Sequence, residues 1–195
     1  MRQTFANLWI WDRVGDRVPW YFAVAEDRMP AKYLLSRRVA CVLDLQRATE
    51  DELWDEHARA SARFLDVWAR VRQKELRVSQ LPVANPSLLD LSAELAVRTL
   101  SHCTFCRWTC RVDRRSGAKH GTCQLEAVSR ISSYFAHHGE ELIFRGTQGS
   151  GTIFFTSCDM RCGFCQNGDI SHDKENGIPA TPREVAAMAW QLRRE

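Results

Sequence analysis

The clearest pattern along the chain is a helical repeat of apolar residues in its first half. Thr49 followed by Glu52 forms a capping box, which predicts a helix that runs to about Glu75. Its apolar positions recur at helical spacing: Leu53, Ala60, Phe64, Trp68 and Val71. A second helix is predicted from Ser87 to about Leu100, with a buried stripe of Leu88, Leu91, Leu95 and Val97. We interpret both stripes as core faces.

Other stretches of the chain have the composition and spacing of strands. Residues 1–48 are rich in aromatic and β-branched side chains, which predicts short strands or extended segments. Strand patterns also cover Glu126 to Phe135, Glu140 to Phe144 and Thr152 to Thr156. A final helix is predicted from Pro182 to about Arg194, with buried Val185, Met188, Ala189 and Leu192. A strand, a loop and a helix in that order predict the first βα unit of a parallel α/β sheet or barrel.

Composition limits the classes of protein that need to be considered. The chain has 195 residues, of which 45% are hydrophobic and 26% are charged, as expected of a globular protein. The formal net charge of +3 gives no reason to expect a nucleic acid or a membrane as partner. No apolar stretch is long enough for a signal peptide or a membrane span, so we expect a cytoplasmic protein.

The eight cysteines are clustered rather than evenly spread. Cys41 stands alone, and we interpret it as a small core residue. The others form two groups, first Cys103, Cys106, Cys110 and Cys123, and then Cys158, Cys162 and Cys165. Disulfide frameworks are typical of small domains without a core, whereas seven Trp and nine Phe can build one here. The clusters therefore favour metal binding.

The later group has the spacing C-x3-C-x2-C and directly follows the predicted strand that ends at Thr156. Three thiolates on one tight loop suit a metal cluster. Zinc sites usually pair cysteines as C-x2-C or C-x4-C, so this triplet departs from the zinc pattern. The alternatives are a zinc knuckle completed by a residue such as His172, and a chance spacing.

This stretch, GTIFFTSCDMRCGFCQNGDIS, resembles the cluster loop of the radical S-adenosylmethionine (SAM) superfamily. Within it, the sequence is most similar to pyruvate formate-lyase activating enzymes and their uncharacterised relatives. The resemblance implies that Cys158, Cys162 and Cys165 each bind one iron of a 4Fe-4S cluster. The fourth iron would bind the amino and carboxylate groups of SAM, and reduction would yield methionine and a 5'-deoxyadenosyl radical.

The same resemblance implies further residues and partners. Phe164 would pack beside the adenine of SAM, and Asn167 would belong to the cofactor-binding segment. Gln166, Asn167 and Asp169 correspond to a His-Asn-x-Asp stretch of the activating enzymes, with Gln166 in place of the histidine. The family's oxidoreductase chemistry implies a flavodoxin or ferredoxin as electron donor. Its substrate would be a glycine of a partner protein or another molecule.

The earlier group, HCTFCRWTCRVDRRSGAKHGTC, supplies four thiolates that would close a tetrahedral shell. Five basic residues would offset the thiolate charge: Arg107, Arg111, Arg114, Arg115 and Lys119. Zinc and a second iron-sulfur cluster remain open, as do reduced cysteines without metal. The group resembles a cysteine-rich motif that precedes the radical SAM loop in the same uncharacterised relatives.

The expected fold class is α/β, a mixed α+β N-terminal region leading into the first βα unit of an incomplete radical SAM (β/α) barrel. The expected divisions are a helical or mixed region at 1–100, the four-cysteine motif at 101–125 and the start of the barrel at 126–195. Because a full barrel takes about 250 residues, the chain resembles the N-terminal part of a longer enzyme and is expected to be inactive alone. A non-catalytic, two-site metal-binding module is the alternative.

Overall fold

The structure is a computed structural model that describes residues 14–145 and 148–194. Its described residues combine α-helices with one small β-sheet, so the mixed α and β composition expected from the sequence is confirmed. The chain divides after Thr99 into two compact units, Gly15–Thr99 and the residues from Leu100 onward.

The first unit is helical. Its α-helices are α1 (Pro19–Ala25), α2 (Lys32–Ser36), α3 (Glu50–Arg72) and α4 (Leu88–Thr99). Single 3-10 turns lie at Gly15–Arg17 and Val78–Gln80. For residues 14–48 the expectation is wrong where α1 and α2 form, whereas Ala40 lies in an extended segment that makes an isolated antiparallel bridge with Ser87. Residues 1–13 lie outside the described chain. Pro19 opens α1, where its fixed φ suits a first turn, and the apolar run that follows lacks the alternation of a half-buried strand.

Helix α3 begins at the predicted capping box. The Glu52 amide donates to Thr49 Oγ1 at 3.3 Å, and the Thr49 amide donates to Glu52 Oε2 at 2.8 Å. The expected core stripe is confirmed, since Leu53, Ala60 and Val71 are buried. Its aromatic members, Phe64 and Trp68, are half-buried.

Helix α4 is capped in the same way by Ser87 and Asp90. The Ser87 amide donates to Asp90 Oδ2 at 2.8 Å, and the Asp90 amide donates to Ser87 Oγ at 3.4 Å. Leu88, Leu91 and Leu95 are buried as predicted. The prediction for Val97 is wrong, because this residue lies two positions after Leu95 and therefore on the opposite side of the helix, where it is 47% exposed.

The core of the first unit joins α3 and α4 to the extended segment before them. One buried cluster contains Cys41, Leu53, Leu91 and Leu95, and a second contains Val39, Ala60 and Leu88. Cys41 is thus a core residue, as expected. The backbone ties the segment to the start of α4, with Cys41 N to Pro86 O at 2.9 Å and Leu88 N to Val39 O at 2.8 Å.

The second unit contains a three-stranded antiparallel sheet of order β2-β1-β3, formed by β1 (Ser129–His137), β2 (Ser150–Phe155) and β3 (Ile178–Ala180). Parallel pairing does not occur among the described strands. Both β2 and β3 pair antiparallel with β1, which is the central strand. The described residues therefore form a mixed α and β fold, and their sheet does not show a barrel.

Three α-helices accompany this sheet: α5 (Leu142–Arg145), α6 (Gly168–His172) and α7 (Pro182–Arg194). Single 3-10 turns lie at Leu100–His102 and Lys174–Asn176. The predicted strand Glu140 to Phe144 is wrong, because a helical turn starts there, with Phe144 N donating to Glu141 O at 2.9 Å. So short an apolar run does not distinguish strand from helix.

Helix α7 has the predicted bounds and packs against the sheet. The Tyr134 hydroxyl donates to Gln191 Oε1 at 3.2 Å, and a Cβ at Gly151 would lie only 3.2 Å from Leu192 Cβ. The predicted stripe of Val185, Met188 and Leu192 is half-buried. Ala189 is exposed rather than buried, because it lies at the margin of this stripe above a narrow sheet.

No helix within residues 14–145 or 148–194 is both long enough and apolar enough to cross a membrane.

Glu56 is a buried carboxylate in α3 that the hydrophobic pattern does not reveal. Its side chain is 1% exposed and accepts from Arg63 at 2.7 Å and Arg59 at 3.0 Å. Burial would raise the pKa of Glu56, but the hydrogen bonds from Arg63 and Arg59 outweigh it and lower the pKa. Arg63 also donates to Ala40 O at 2.9 Å, so the pair joins α3 to the extended segment.

We expect Glu56→Gln to lower the free energy of unfolding by about 1–3 kcal/mol, because the amide leaves charge-assisted hydrogen bonds unmade. Urea unfolding followed by circular dichroism measures this change. Asp66→Asn is the matched control, since Asp66 lies on the same helix and is 69% exposed. Its ion pair with Arg70 is long, at 3.8 Å, and is therefore weak. Equal stability of the two variants would contradict the prediction.

Candidate metal centre

The loop that carries Cys158, Cys162 and Cys165 starts where β2 ends and is closed at its base by α6. Ser157 N donates to Ile170 O at 2.7 Å, and Cys158 N donates to Ser171 O at 2.9 Å. Ser157 has φ of 67°, a conformation that non-glycine residues adopt rarely. The chain therefore leaves the sheet in a sharp turn immediately before the first cysteine.

All three sulfurs of this loop lie in half-buried residues, and two of them have nearby hydrogen-bond donors. The Met160 amide donates to Cys158 Sγ at 3.4 Å, and the Ser171 hydroxyl donates to Cys165 Sγ at 3.3 Å. Sulfur is a soft ligand, and the thiolate is the form that binds metal. The loop thus presents three soft ligand groups.

The other residues of this loop that the sequence singled out are exposed. Phe164 is 92% exposed, so its ring is free for contact with a ligand. Asn167 precedes α6 with an exposed side chain that makes no capping hydrogen bond, while its carbonyl accepts from Ser171 N at 2.8 Å. His172, the alternative fourth ligand, is exposed at the end of α6.

The first three cysteines of the earlier group lie on one closed turn. Cys103 N donates to Val112 O at 3.0 Å, and Arg111 N donates to Cys103 O at 2.9 Å. These paired hydrogen bonds resemble a strand ladder and bring the ends of the turn together. Cys103 is 2% exposed, whereas Cys106 and Cys110 are half-buried.

The fourth cysteine of this group, Cys123, lies on a second turn that contacts the first. Gln124 N donates to Gly121 O at 2.8 Å, and Thr122 N donates to Cys110 Sγ at 3.5 Å. A Cβ at Gly121 would lie 2.9 Å from Cys110 Sγ, so only glycine allows the two turns to approach this closely. Hydrogen bonds from Thr122 and the charge of Arg114 lower the pKa of Cys110 despite partial desolvation.

Arg114 lies among these cysteines and is only 7% exposed. Its guanidinium donates to Cys123 Sγ at 3.2 Å, hydrogen bonds to Cys103 and donates to Leu125 O. Burial would lower the pKa of Arg114, but the hydrogen bond to Cys103 and the charges of Cys103 and Cys123 raise it above its usual value. The other basic residues of the motif are exposed: Arg107, Arg111, Arg115 and Lys119.

The two cysteine groups contact each other on both sides of Cys158. The Trp108 indole donates to Asp159 O at 2.7 Å, and the Ser157 hydroxyl donates to Cys123 O. A cleft of about 490 Å³ is lined by residues of both groups, among them Cys103, Cys106, Cys123 and Cys158. Linear spacing gave no signal for this adjacency, because the groups are separated by the whole of β1 and β2.

Among the described residues, no three His, Cys, Asp or Glu side chains are gathered closely enough to hold a metal ion. The structure thus places the cysteines of each group on neighbouring turns without bringing their sulfurs to one point. Sequence reasoning missed Ser157, Trp108 and Asp159, and it did not distinguish Arg114 from the other basic residues.

An ionic network holds the segments that flank the cysteine loop. Glu126 pairs with Lys174 and accepts from Arg130 at 3.4 Å, and Arg130 pairs with Glu175 at 3.2 Å. The hydrogen bond from Lys174 lowers the pKa of Glu126 from 4.5 to about 2. The network ties the start of β1 to the turn between α6 and β3.

Comparison with known proteins gives one informative similarity. The chain is 34% identical over 174 residues to an uncharacterised protein of Methanocaldococcus jannaschii, an alignment that covers 86% of this chain and 47% of that protein. The chain therefore spans about half the length of this curated relative. No family model matches the chain, and no solved structure matches it significantly.

We expect Trp108→Phe to increase amide hydrogen exchange in residues 158–162 by roughly two- to tenfold, because a hydrogen bond of about 1 kcal/mol to Asp159 is lost. Exchange measured by mass spectrometry on the full chain checks this. Trp190→Phe is the control, since Trp190 is 64% exposed on α7. The contact with Asp159 is unimportant if both variants exchange like the wild type.

We expect Glu126→Gln to destabilise the protein at pH 7 and to lose this effect in acid. A folded-state pKa of about 2 against 4.5 means that the carboxylate contributes stability above pH 4.5, which is lost as the pH falls toward 2. Urea unfolding at several pH values measures the difference. Glu175→Gln, whose side chain is 65% exposed, should change stability less. A difference between wild type and Glu126→Gln that does not vary with pH would refute the role of the ion pair.

Proposed function

We propose that this chain is the cluster-bearing part of a radical SAM enzyme, in which Cys158, Cys162 and Cys165 hold a 4Fe-4S cluster. The observation that carries the proposal is the placement of three half-buried thiols on one loop at the carboxyl end of β2. The loop leads into α6, β3 follows, and α7 then packs on the sheet. Strand, cysteine loop and helix thus follow in the order expected of a first βα unit.

The residues of the loop fit such a cluster in their chemistry. Thiolates are the usual ligands of iron-sulfur clusters, and a loop with three of them leaves one iron without a protein ligand. The donors from Met160 and Ser171 to two of the sulfurs would stabilise the bound thiolates and influence the reduction potential. When bound, the cluster supplies the electron that cleaves SAM reductively.

The chain's own residues would bind and orient SAM. Phe164 offers an exposed aromatic face for the adenine, since ring stacking needs a flat surface that no other side chain covers. The Asn167 side chain is exposed at the start of α6 and retains its amide donors and acceptor. We propose that these two residues hold the nucleoside side of the cofactor.

The wider activity is part of the same proposal. The curated relative is about twice as long as the matched region, so we propose that the remaining strands of a barrel belong to the rest of a longer protein. There the active protein would take its electron from a flavodoxin or ferredoxin and abstract hydrogen from a protein glycine or another substrate. A non-catalytic metal-binding role is the competing hypothesis.

We expect the full chain, reconstituted anaerobically with iron and sulfide, to lose about four irons and four sulfides per chain when Cys162 is replaced by alanine. The electron paramagnetic resonance spectrum of the reduced wild type should change on addition of SAM, because SAM would bind the open iron. The Cys162→Ala variant should lack this response. Metal analysis and spectroscopy on the same samples measure both effects.

Cys41→Ala is the matched control, since Cys41 is a core residue outside both cysteine groups. It should retain the iron, the sulfide and the response to SAM. Equal iron and sulfide in wild type and Cys162→Ala would sink the cluster assignment, and a cluster that ignores SAM would favour the non-catalytic hypothesis.

A further inference from the structure

Arg114 is a buried cation without a carboxylate partner among the described residues. Its side chain interactions are with Cys103, Cys123 and the Leu125 carbonyl, and it is 7% exposed. A buried charge is costly unless it is paired with an opposite charge. Neutral thiols are weak acceptors and do not supply that charge. Anionic groups held at these sulfurs would compensate the charge of the buried guanidinium, which lies 3.2 Å from Cys123 Sγ.

A metal centre provides such anions. Four thiolates around a divalent ion carry a net charge of −2, as do four thiolates on an oxidised 4Fe-4S cluster. We infer that Cys103, Cys106, Cys110 and Cys123 bind one metal centre through four thiolates, with Arg114 as its buried hydrogen-bond donor. This inference does not depend on the function proposed for the later cysteines.

The backbone already brings the four residues onto two touching turns. Gly121 allows the second turn to reach Cys110 Sγ, and Arg114 hydrogen bonds to the first turn at Cys103 and to the second at Cys123. Because the sulfurs do not meet at one point in the described residues, closing the shell requires rotation of the cysteine side chains.

The earlier cysteine group contacts the loop that carries the later cysteines. Cys123 accepts from the Ser157 hydroxyl, and Trp108, on the turn between Cys106 and Cys110, donates to Asp159. Both contacts flank Cys158. The four-thiolate centre would therefore hold the loop of the later cysteines in place, and its loss would loosen that loop.

The test uses the full chain with Cys158, Cys162 and Cys165 all replaced by alanine, so that only the earlier group can bind metal. Zinc, iron and acid-labile sulfide are measured per chain after anaerobic purification. We expect one centre per chain. One zinc would indicate a zinc site, and iron with sulfide would indicate an iron-sulfur cluster on the same four thiolates. Absence of both metals from this variant would overturn the inference.

Further replacements assign the ligands and Arg114. Cys123→Ala in this background should abolish metal binding, whereas Cys41→Ala should retain it. Arg114→Met should weaken metal affinity by about 10- to 100-fold and shift the thiolate-to-metal charge-transfer band of the cobalt-substituted protein. Arg114→Lys should restore part of both. Unchanged affinity and spectrum in Arg114→Met would refute the role of Arg114.

Hydrogen exchange provides a readout that needs no variant of the earlier group. Removing the metal with a chelator from the chain in which Cys158, Cys162 and Cys165 are replaced by alanine should raise exchange in residues 157–160, while the amides of α3 should stay protected. Equal exchange in residues 157–160 with and without metal would refute the coupling between the two groups.

Discussion

Three consecutive backbone amides hold the cysteine-bearing half of the molecule together. Thr156 N donates to Arg130 O, Ser157 N to Ile170 O and Cys158 N to Ser171 O, so one short stretch joins β1, β2 and α6. Thr156 is fully buried, and a Cβ at Gly177 would lie 2.5 Å from Thr156 Cγ2. Since each amide is used by a different partner and the space is filled, the direction in which the cysteine loop leaves the sheet is fixed by backbone geometry.

The earlier cysteine group is built onto the same stretch. The hydroxyl of Ser157 reaches the carbonyl of Cys123, and the Trp108 indole reaches the next turn of the loop. The two groups look like separate motifs in the sequence, but they contact each other and line the same cleft. Arg114 extends this connection, because it donates to the sulfur of Cys123. The cysteine motifs are best understood as one structural region.

Local signals in the sequence predicted local structure, and they failed where tertiary contacts decide. The capping box at Thr49 and the spacing of the core stripe fixed the start and buried face of α3, because both depend on residues a few positions apart. The helical turn α5 was not predictable because so short an apolar run fits both strand and helix. The burial of Glu56 was not predictable because it depends on the extended segment that its partner Arg63 contacts at Ala40 O. The same holds for the site, where spacing grouped the cysteines but could not distinguish Arg114 from its basic neighbours.

The exposed ring of Phe164 has a thermodynamic consequence. A phenylalanine that is 92% exposed forgoes the 1.5–3 kcal/mol that burial of such a side chain typically contributes, or roughly 10- to 150-fold in an equilibrium constant. Whatever molecule covers the ring gains this free energy, and its binding should show a negative heat-capacity change. The exposed ring thus offers binding free energy to a ligand that lies beside the last cysteine of the loop.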